Sequence, residues 1–360
     1  MSTSKKITGE LQKIVFDCER MKYPHTGLYH FCQQLGNALL EEARTNEEII
    51  FYTSKKNIGS FGIDRKYLTQ KLFHKLMMPS VEQYKVWHVT HQHSMYHPSI
   101  KKIPVVLTVH DLNFLKGTLK NNAKRKHYLS ELQNRIHQAH YIVAISNYVL
   151  NDLKAHIDIG TKPHAVIYNG CNVSTLQTLH PPSIIPENPF LFSIGTITEK
   201  KNFHVLPRLL KNKAFSLLLA GVVQDEEYKK KIIDEAQALG VLDRIYFTGP
   251  ISENDKQWYY KNCTGFVFPS IAEGFGLPVI EAMAQGKPVF LSTLTSLPEI
   301  GDQYAFYFPD FSMESMQQTL EEGLGMYEQH NMRESIIAHA KSFDWSITAR
   351  KYLEIYRSFY

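Results

Sequence analysis

Cysteine is scarce in this sequence, and long apolar runs are missing. The four cysteines among 360 residues are scattered and form no C-x-x-C pair, which argues against a zinc ribbon or a disulfide framework. No stretch approaches the roughly 20 apolar residues that a membrane-spanning helix requires. The opening MSTSKKITGELQKIV lacks the apolar centre of a secretion signal. We therefore expect a globular protein that stays in the reducing cytoplasm.

Internal repeats and low-complexity tracts are also missing, which disfavours solenoids and propellers. Charge is unevenly spread: residues 1–180 contain 23 Lys and Arg against 13 Asp and Glu, a net +10, and the remainder is net −5. Basic residues and aromatics cluster at 65–79 and at 116–128. Such clusters suit an anionic membrane face or a lipid diphosphate, or they form the solvated face of a helix. The sequence leaves both interpretations open.

A proline-rich stretch separates two regions of alternating strand and helix patterns. It carries four prolines between His180 and Phe190, as interdomain linkers do. We place an N-terminal domain at 1–180, the linker at 181–189, a C-terminal domain at 190–342 and a last helix at 343–360.

Short apolar runs recur in both halves. The second half contains FLFSIG, FSLLLAG, RIYFTG, GFVFP and KPVFLS, and the first contains LQKIVFD, EIIFYT, VWHVT, PVVLTVH, YIVAIS and HAVIYNG. Helix-like segments lie between them, such as GLYHFCQQLGNALLEEA and ENDKQWYYKNC, the latter opened by Ser252 with Asp255 at capping-box spacing. This alternation predicts doubly wound parallel sheets, whose ligands bind beyond the carboxyl ends of the strands.

The most specific pattern is PSIAEGFGLPVIEAMAQGKPV, residues 269–289, which holds two glutamates eight residues apart. Pro278 suits the first turn of a helix that starts near Leu277. The early amides of such a helix attract a phosphate. Glu281, one turn in, could accept hydrogen bonds from two vicinal ribose hydroxyls, and Glu273 would face a sugar.

Together these segments resemble the large family of retaining glycosyltransferases often called family 4. The resemblance covers essentially the whole chain and includes a glutamate pair at this spacing. It also includes VLTVHDLNFL, AISNYVLNDL, GTITEKKN, SLPEIGD and the closing FDWSITARKYLEIY. The family implies an α/β, GT-B fold, which consists of two facing Rossmann-like domains with a cleft between them. It also implies a last helix that crosses back to the first domain.

By this resemblance, catalytic roles fall to His110, Glu273 and Lys201. Lys201 would neutralise the donor diphosphate, whose charge grows as the glycosidic bond breaks. His110 would contact the donor sugar near the reacting carbon; alternatively, it is a satisfied histidine beside Asp111. Donor binding is expected from the following residues: Gly27, Gly195, Lys200, Lys201, Gly249, Phe275, Gly276, Leu277 and Glu281.

Some of these positions have a second interpretation or depart from the family. Gly27 would permit close approach of a phosphate or acceptor, or it is a plain glycine at a helix start. Lys200 stands where the family often has an arginine, and Thr196 replaces an arginine that is common after Gly195. Backbone groups around Gly249 would read the nucleotide base.

Four histidines crowd the segment VWHVTHQHSMYHP: His88, His91, His93 and His97. They lack the helical i, i+4 spacing of a zinc hydrolase, so packing or lining of the acceptor side is favoured over metal binding. The chain contains no D-x-D motif, the carboxylate pair with which single-domain glycosyltransferases hold manganese. The resemblance therefore implies a metal-independent enzyme without a cofactor.

The resulting hypothesis is a retaining glycosyltransferase of surface polysaccharide synthesis. HDLNFL and HTGLYHF are most similar to bacterial mannosyltransferases of O-antigen and capsule assembly, which favours GDP-mannose and leaves UDP-sugars open. The expected partners are a nucleotide-sugar and a glycan or polyprenyl-lipid-linked acceptor, with peripheral contact of the basic N-terminal domain to an anionic membrane and no nucleic acid. A sugar-nucleotide epimerase and an inactive nucleotide-sugar-binding module are the alternatives.

Overall fold

The chain folds into two compact units. The structure is a computed structural model that describes residues 10–24, 26–99, 101–115, 122–172 and 178–360. The first unit comprises Met1–Gly170 and Asp344–Tyr360, and the second comprises Cys171–Phe343. Each unit is an α/β domain on one parallel sheet, which confirms the prediction of two Rossmann-like domains.

Within the described ranges, the first unit contains a seven-stranded sheet of order β3-β2-β1-β4-β5-β6-β7. Every pairing is parallel, so all carboxyl ends lie at one edge. The inner strands are apolar and buried, as β5 with its sequence VVLTV illustrates. The strands are β1 (Gln12–Asp17), β2 (Glu47–Thr53), β3 (Lys66–Thr69), β4 (Val86–Val89), β5 (Val105–Val109), β6 (Tyr141–Ala144) and β7 (His164–Val166).

The strands predicted for the first half are all present, but the sequence pattern does not predict β3. This strand lies in the basic cluster at 65–79 and pairs only with β2, at the sheet edge. A short 3-10 turn, Leu72–Lys75, follows it. The alternative of a solvated helix face is therefore wrong for this cluster. The other basic cluster, at 116–128, lies partly outside the described residues.

Three helices of the first unit precede the second unit in the chain. The Thr26 side chain caps the first by accepting a hydrogen bond from the Tyr29 amide at 3.2 Å, and Ser146 caps the third in the same way through Val149. The helices are α1 (Gly27–Glu42), α2 (Asn122–His137) and α3 (Asn147–His156).

The second unit, as far as the structure describes it, has a six-stranded parallel sheet of order β10-β9-β8-β11-β12-β13. Its strands are β8 (Phe190–Ile194), β9 (Ser216–Ala220), β10 (Ile245–Gly249), β11 (Gly265–Phe268), β12 (Val289–Ser292) and β13 (Phe306–Phe308). Its helices are α4 (Glu226–Ala238), α5 (Glu253–Asn262), α6 (Leu277–Ala284), α7 (Leu297–Gly301), α8 (Met313–Gln329) and α9 (Arg333–Lys341).

The predicted strands of the second half are present, and the three-residue edge strand β13 is the one that the pattern misses. The predicted cap of α5 is confirmed, because Ser252 Oγ accepts a hydrogen bond from the Asp255 amide at 3.1 Å. None of the helices among the described residues is long and apolar enough to cross a membrane.

The last helix, α10 (Trp345–Arg357), belongs to the first unit. It packs against α1, and the hydroxyls of two of its tyrosines contact residues of β4 and β5. Tyr352 Oη lies 2.8 Å from Thr108 Oγ1, and Tyr356 Oη lies 2.6 Å from His88 Nδ1. The end of the chain therefore forms part of the first unit's core.

The division between the units falls at Gly170 and Cys171, before the proline-rich stretch that the sequence predicts as the linker. That stretch packs on the second unit: the Tyr259 hydroxyl donates to the Ile184 carbonyl at 2.7 Å. The Cys171 amide donates to the Phe343 carbonyl at 2.8 Å. The first bond ties residues 181–189 to the second unit, and the second bond joins the two ends of that unit.

Candidate active-site residues

Glycines end three adjacent strands of the second sheet at its carboxyl edge. Gly195 follows β8, Gly221 follows β9, and Gly249 is the last residue of β10. The Gly195 amide donates to the Ala220 carbonyl at 2.9 Å, and the Gly221 amide donates to the Gly249 carbonyl at 2.8 Å. Gly221 has φ +130°, and a Cβ there would collide with the Gly195 carbonyl. The fold thus requires glycine at Gly221 and leaves little side-chain bulk at this edge.

Lys201 and Glu273 form an ion pair at this edge, with 2.5 Å between Nζ and Oε1. They are 72 residues apart in sequence and meet because β8 and β11 are neighbours in the sheet. The side chains are 13% and 14% exposed. The Lys201 ammonium also lies 4.8 Å from the centre of the Phe268 ring. The structure therefore brings two of the three predicted catalytic residues together.

Hydroxyl side chains that the sequence analysis did not single out hold the Glu273 loop. Ser270 Oγ lies 2.8 Å from Glu273 Oε1 and 3.0 Å from the carbonyl oxygen of Lys200. Thr295 Oγ1 accepts a hydrogen bond from the Glu273 amide at 3.2 Å. Thr295 has φ +62°, a left-handed conformation that is rare for a β-branched residue and costs energy. Strain beside the glutamate fits a preorganised site.

The helix after this loop starts where the sequence predicts, at Leu277. Gly276 is its N-cap residue with φ +111°, and Pro278 lies in the first turn. Phe275 is buried, and its carbonyl accepts a hydrogen bond from Ser296 Oγ at 2.9 Å. The first amides of a helix have no acceptor within the helix, so this end favours an anion. The donor-binding roles of Phe275, Gly276 and Leu277 remain predictions, and the helix start accommodates them.

Glu281 is buried in α6 and held by a separate group of side chains. Its Oε1 accepts hydrogen bonds from Asn172 Nδ2 at 2.9 Å and Lys256 Nζ at 3.3 Å, and its Oε2 accepts one from the Tyr260 hydroxyl at 3.1 Å. Lys256 is also buried, and it pairs with Glu253 at 3.0 Å. Burial opposes the charge of Lys256, but the two carboxylates raise the pKa of its ammonium above the usual value.

This arrangement limits what Glu281 can bind. A carboxylate offers about four acceptor positions, and three are in use. One ribose hydroxyl can donate to the remaining position. The predicted pair of ribose hydroxyls would have to displace one of the three donors that already bind the carboxylate. Lys256 is a functional candidate that the sequence analysis missed. The sequence feature that could have identified Lys256 is its position four residues before Tyr260, because this spacing places both side chains on the same face of α5.

In the first unit, His110 directly follows β5, at the predicted carboxyl edge. It is 5% exposed, and its Nε2 lies 2.8 Å from the Thr90 carbonyl. Because a carbonyl only accepts, Nε2 carries the proton and Nδ1 is an acceptor. Burial lowers the pKa of His110 to about 4, although the Thr90 bond opposes this. The imidazole is therefore neutral at pH 7, and Asp111 is not the partner of this ring bond.

The neighbouring histidines divide into packing residues and residues near His110. His88 is fully buried between Thr108 and Tyr356, with its ring stacked on Tyr352, so it packs the core. The His91 ring stacks on His110, with 5.3 Å between centroids. Across the described residues, no group of three His, Cys, Asp or Glu side chains is placed to hold a metal ion.

A buried carboxyl pair, also missed by the sequence analysis, lies at the end of β1. Ser94 Oγ is 2.8 Å from Asp17 Oδ2 and 2.8 Å from Glu19 Oε2. Ser94 has one hydroxyl proton, so one carboxyl must donate to it. Burial, reinforced by Glu19, raises the pKa of Asp17 to about 7. Burial also acts against the Glu19 charge, but bonds from Lys22, Met95 and Ser94 lower its pKa.

The donor-binding roles of Gly27 and Lys200 stay predictions. Gly27 is the first residue of α1, and a Cβ there would meet no atom within 4 Å. The fold therefore does not require this glycine, and both interpretations, the close approach of a ligand and a plain helix start, stay predictions. The Lys200 side chain is exposed, while its carbonyl accepts a hydrogen bond from the Ile271 amide at 2.9 Å.

Known families and proteins match both units. The Glycosyltransferase Family 4 model matches residues 30–175, and the Glycosyl transferases group 1 model matches residues 177–343. The chain therefore carries glycosyltransferase domains in both units. More closely, it belongs to the family 4 glycosyltransferases of the GT-B fold, as the sequence predicts.

Two relatives and one solved structure illustrate the match. Serotype-specific mannosyltransferase WbdA of Escherichia coli is 28% identical in an alignment of 253 positions that covers 64% of this chain and 30% of WbdA, so the chain spans under a third of that relative. O-antigen chain mannosyltransferase B of Escherichia coli is 23% identical in an alignment of 334 positions that covers 80% of this chain and 84% of the relative. HepE of Anabaena, solved with UDP and glucose, has a TM-score of 0.70 and 17% identity over 96% of this chain and 100% of its own.

Proposed function

We propose that this glycosyltransferase moves mannose from GDP-mannose to a glycan or lipid-linked acceptor in surface polysaccharide synthesis, without a metal and with retention of configuration. The two Escherichia coli relatives are both mannosyltransferases, which supports mannose as the transferred sugar. The Lys201–Glu273 pair beside the start of α6 is the observation that carries the proposal. An ammonium and a helix N-terminus are features that stabilise a departing nucleoside diphosphate.

In the proposed reaction, the acceptor oxygen attacks the anomeric carbon on the face from which the diphosphate leaves. The bond between the anomeric carbon and the phosphate oxygen breaks as the glycosidic bond forms, and the departing phosphate oxygen takes the acceptor's proton. The products are the glycoside and GDP. A diphosphate that pairs with Lys201 draws it from Glu273, whose carboxylate is then free to accept a hydrogen bond from a sugar hydroxyl.

The other predicted residues orient the donor in this proposal. The Nδ1 atom of neutral His110 accepts a hydrogen bond from a sugar hydroxyl near the reacting carbon, because Nε2 is held by Thr90. Glu281 accepts a bond from one ribose hydroxyl. Gly27, Gly195, Lys200 and Gly249 contribute backbone approach and charge around the nucleotide.

The proposed setting is the cytoplasm, at the inner face of the membrane, with a polyprenyl-lipid-linked chain as acceptor. All four cysteines are free and buried, and a reducing compartment keeps thiols in this form.

A thermal-shift screen against GDP, UDP, ADP and TDP tests the donor class, because a ligand that binds only the folded state raises the melting temperature. We expect GDP to stabilise the wild type and the control Lys261→Ala, whose lysine is exposed on α5, and to stabilise Lys201→Ala far less. Each variant is compared with its own unliganded state, because losing Lys201 itself leaves Glu273 unpaired. Stabilisation by UDP alone would indicate that the donor is a UDP-sugar and not GDP-mannose.

Three further measurements address the remaining elements of the proposal. GDP release from GDP-mannose that requires an acceptor distinguishes transfer from epimerisation, and no turnover of any donor would indicate an inactive binding module. Unchanged activity in EDTA is the expected result for a metal-independent enzyme. A covalent glycosyl adduct in the intact mass spectrum would contradict the same-face displacement.

A further inference from the structure

Large apolar side chains project from the first unit immediately after β3. Leu72, Phe73, Leu76 and Met77, here called the apolar ridge, are 80%, 52%, 96% and 69% exposed. Isolated exposed apolar residues are ordinary, but a contiguous set marks an interaction surface.

The ridge is a built feature of the fold. The amides of Leu76 and Met77 donate to the Phe73 carbonyl at 3.0 and 2.9 Å. His74, in the middle of the ridge, points inward and is 4% exposed. Its Nδ1 lies 2.9 Å from the hydroxyl of Tyr52, a fully buried residue of β2. Internal hydrogen bonds and a buried anchor thus hold the four apolar side chains outward.

The segment that carries the ridge is basic, and the acidic residues that flank it in sequence are Asp64, which pairs with Arg65 at 3.8 Å, and Glu82. Lys71 and Lys75 are exposed within the segment, and Arg65 and Lys66 precede it. Residues 65–81 contain no Asp or Glu, so the net charge of this stretch is +4. The Lys71 ammonium lies 5.8 Å from the centre of the Phe73 ring, which places cation and apolar surface side by side.

We propose that the apolar ridge inserts into the headgroup region of an anionic phospholipid bilayer while the surrounding lysines and arginine bind the lipid phosphates. Apolar area and basic charge add in this mode of binding. A protein partner fits less well, because lysine is depleted from the cores of protein interfaces. The inference does not rest on the proposed sugar transfer, since exposed side chains alone carry it.

Co-sedimentation with phospholipid vesicles tests the proposal. The full chain is mixed with phosphatidylcholine vesicles or with vesicles that contain about 30% phosphatidylglycerol, at low and high salt. We expect binding to the anionic vesicles that salt weakens. Leu72→Ser combined with Leu76→Ser should weaken it about tenfold. Lys71→Glu combined with Lys75→Glu should weaken it by about 25-fold or more, because each basic residue contributes about fivefold.

Matched controls carry the same chemical changes elsewhere. Ile185→Ser with Leu242→Ser removes two exposed apolar side chains, and Lys261→Glu with Lys341→Glu reverses two exposed lysines; both should bind as the wild type does. Circular dichroism melting confirms that each variant is folded. Transfer to a soluble acceptor, measured separately, should be unchanged in the ridge variants, so failure of vesicle binding is distinguishable from failure of the proposed function.

Two outcomes would overturn the inference. One is equal vesicle binding by the wild type and the ridge variants, or no binding by any of them. The other is a self-association of the wild type, seen in analytical ultracentrifugation, that the ridge variants lose while vesicle binding stays absent; the surface would then be a protein interface.

Discussion

The carboxyl edges of the two sheets neutralise their buried polar groups in different ways. In the second unit, ammonium groups pair with carboxylates, as in Lys201 with Glu273 and Lys256 with Glu281. In the first unit, Glu19 also pairs with Lys22, but protonation equilibria remove the charge of two other buried groups: His110 is held neutral, and Asp17 binds a proton up to about pH 7. A paired carboxylate can be exchanged for an anionic ligand, whereas neutral groups suit the hydroxyls of a sugar.

The largest expected effect comes from breaking the ion pair of the second unit. Glu273→Gln and Lys201→Ala should each lower the transfer rate about 10²- to 10³-fold, since Lys201 stabilises the departing diphosphate and Glu273 orients the sugar in the proposed reaction. The measurement is the initial rate of acceptor-dependent nucleotide release, with Lys261→Ala as the lysine control. A rate close to that of the wild type would remove the pair from the mechanism.

The second pair should affect the stability of the fold. Lys256→Met leaves the buried Glu281 carboxylate without its cation and should lower the free energy of unfolding by about 3 kcal/mol. Adding Glu281→Gln should recover most of this loss, because the buried charge is then gone. Urea unfolding of the single and double variants measures both. If the double variant is no more stable than Lys256→Met, the lysine acts through packing and not through charge.

The first unit should respond to pH through Asp17. The pKa of this carboxyl is raised in the folded state, so its contribution to stability is fully present below pH 4 and is lost as the pH rises through about 7. Between pH 8 and pH 6 the wild type should gain about 1 kcal/mol from this group. Asp17→Asn should lack that gain, whereas Asp64→Asn, at an exposed position, should keep it. Identical pH profiles for wild type and Asp17→Asn would contradict the proton on Asp17.

The smallest expected effect concerns the His110 imidazole, which should not titrate near neutral pH. Since the pKa of His110 is lowered to about 4, its ring resonances should stay constant in NMR spectra between pH 6 and pH 8, with assignment by His110→Gln. A titration midpoint of the His110 ring near the usual value of about 6.5 would show that this imidazole becomes charged near neutral pH, so that the carboxyl edge of the first sheet carries charge as that of the second does.

Local patterns predicted most of the fold, and sheet pairing explains what they missed. Buried strands such as β5 and β9 are apolar runs, and this pattern alone predicts them. β3 and β13 are short, half-exposed edge strands, and their identity comes from a neighbouring strand rather than from their own sequence. The linker prediction followed the prolines, whereas the Cys171–Phe343 bond that closes the second unit joins residues far apart in the chain.

The site was predictable where a motif marked it. Glu273 and Lys201 belong to recognisable segments, although only the adjacency of β8 and β11 places them in contact. Lys256 belongs to a helix whose cap was predicted, but its partner lies 25 residues further on. Asp17 stands at a strand end, where ligands of parallel sheets are sought; its burial and shared proton depend on Ser94, which is 77 residues away.

The placement of α10 has a consequence for biosynthesis. Since the helix completes the first unit with residues from the end of the chain, the ribosome must release the whole second unit before the first can close its core. Until then, Thr108 and His88 in the nascent chain lack the contacts that Tyr352 and Tyr356 make with them in the folded protein. The usual order, in which an N-terminal domain folds first during synthesis, is therefore reversed here for the final step of assembly.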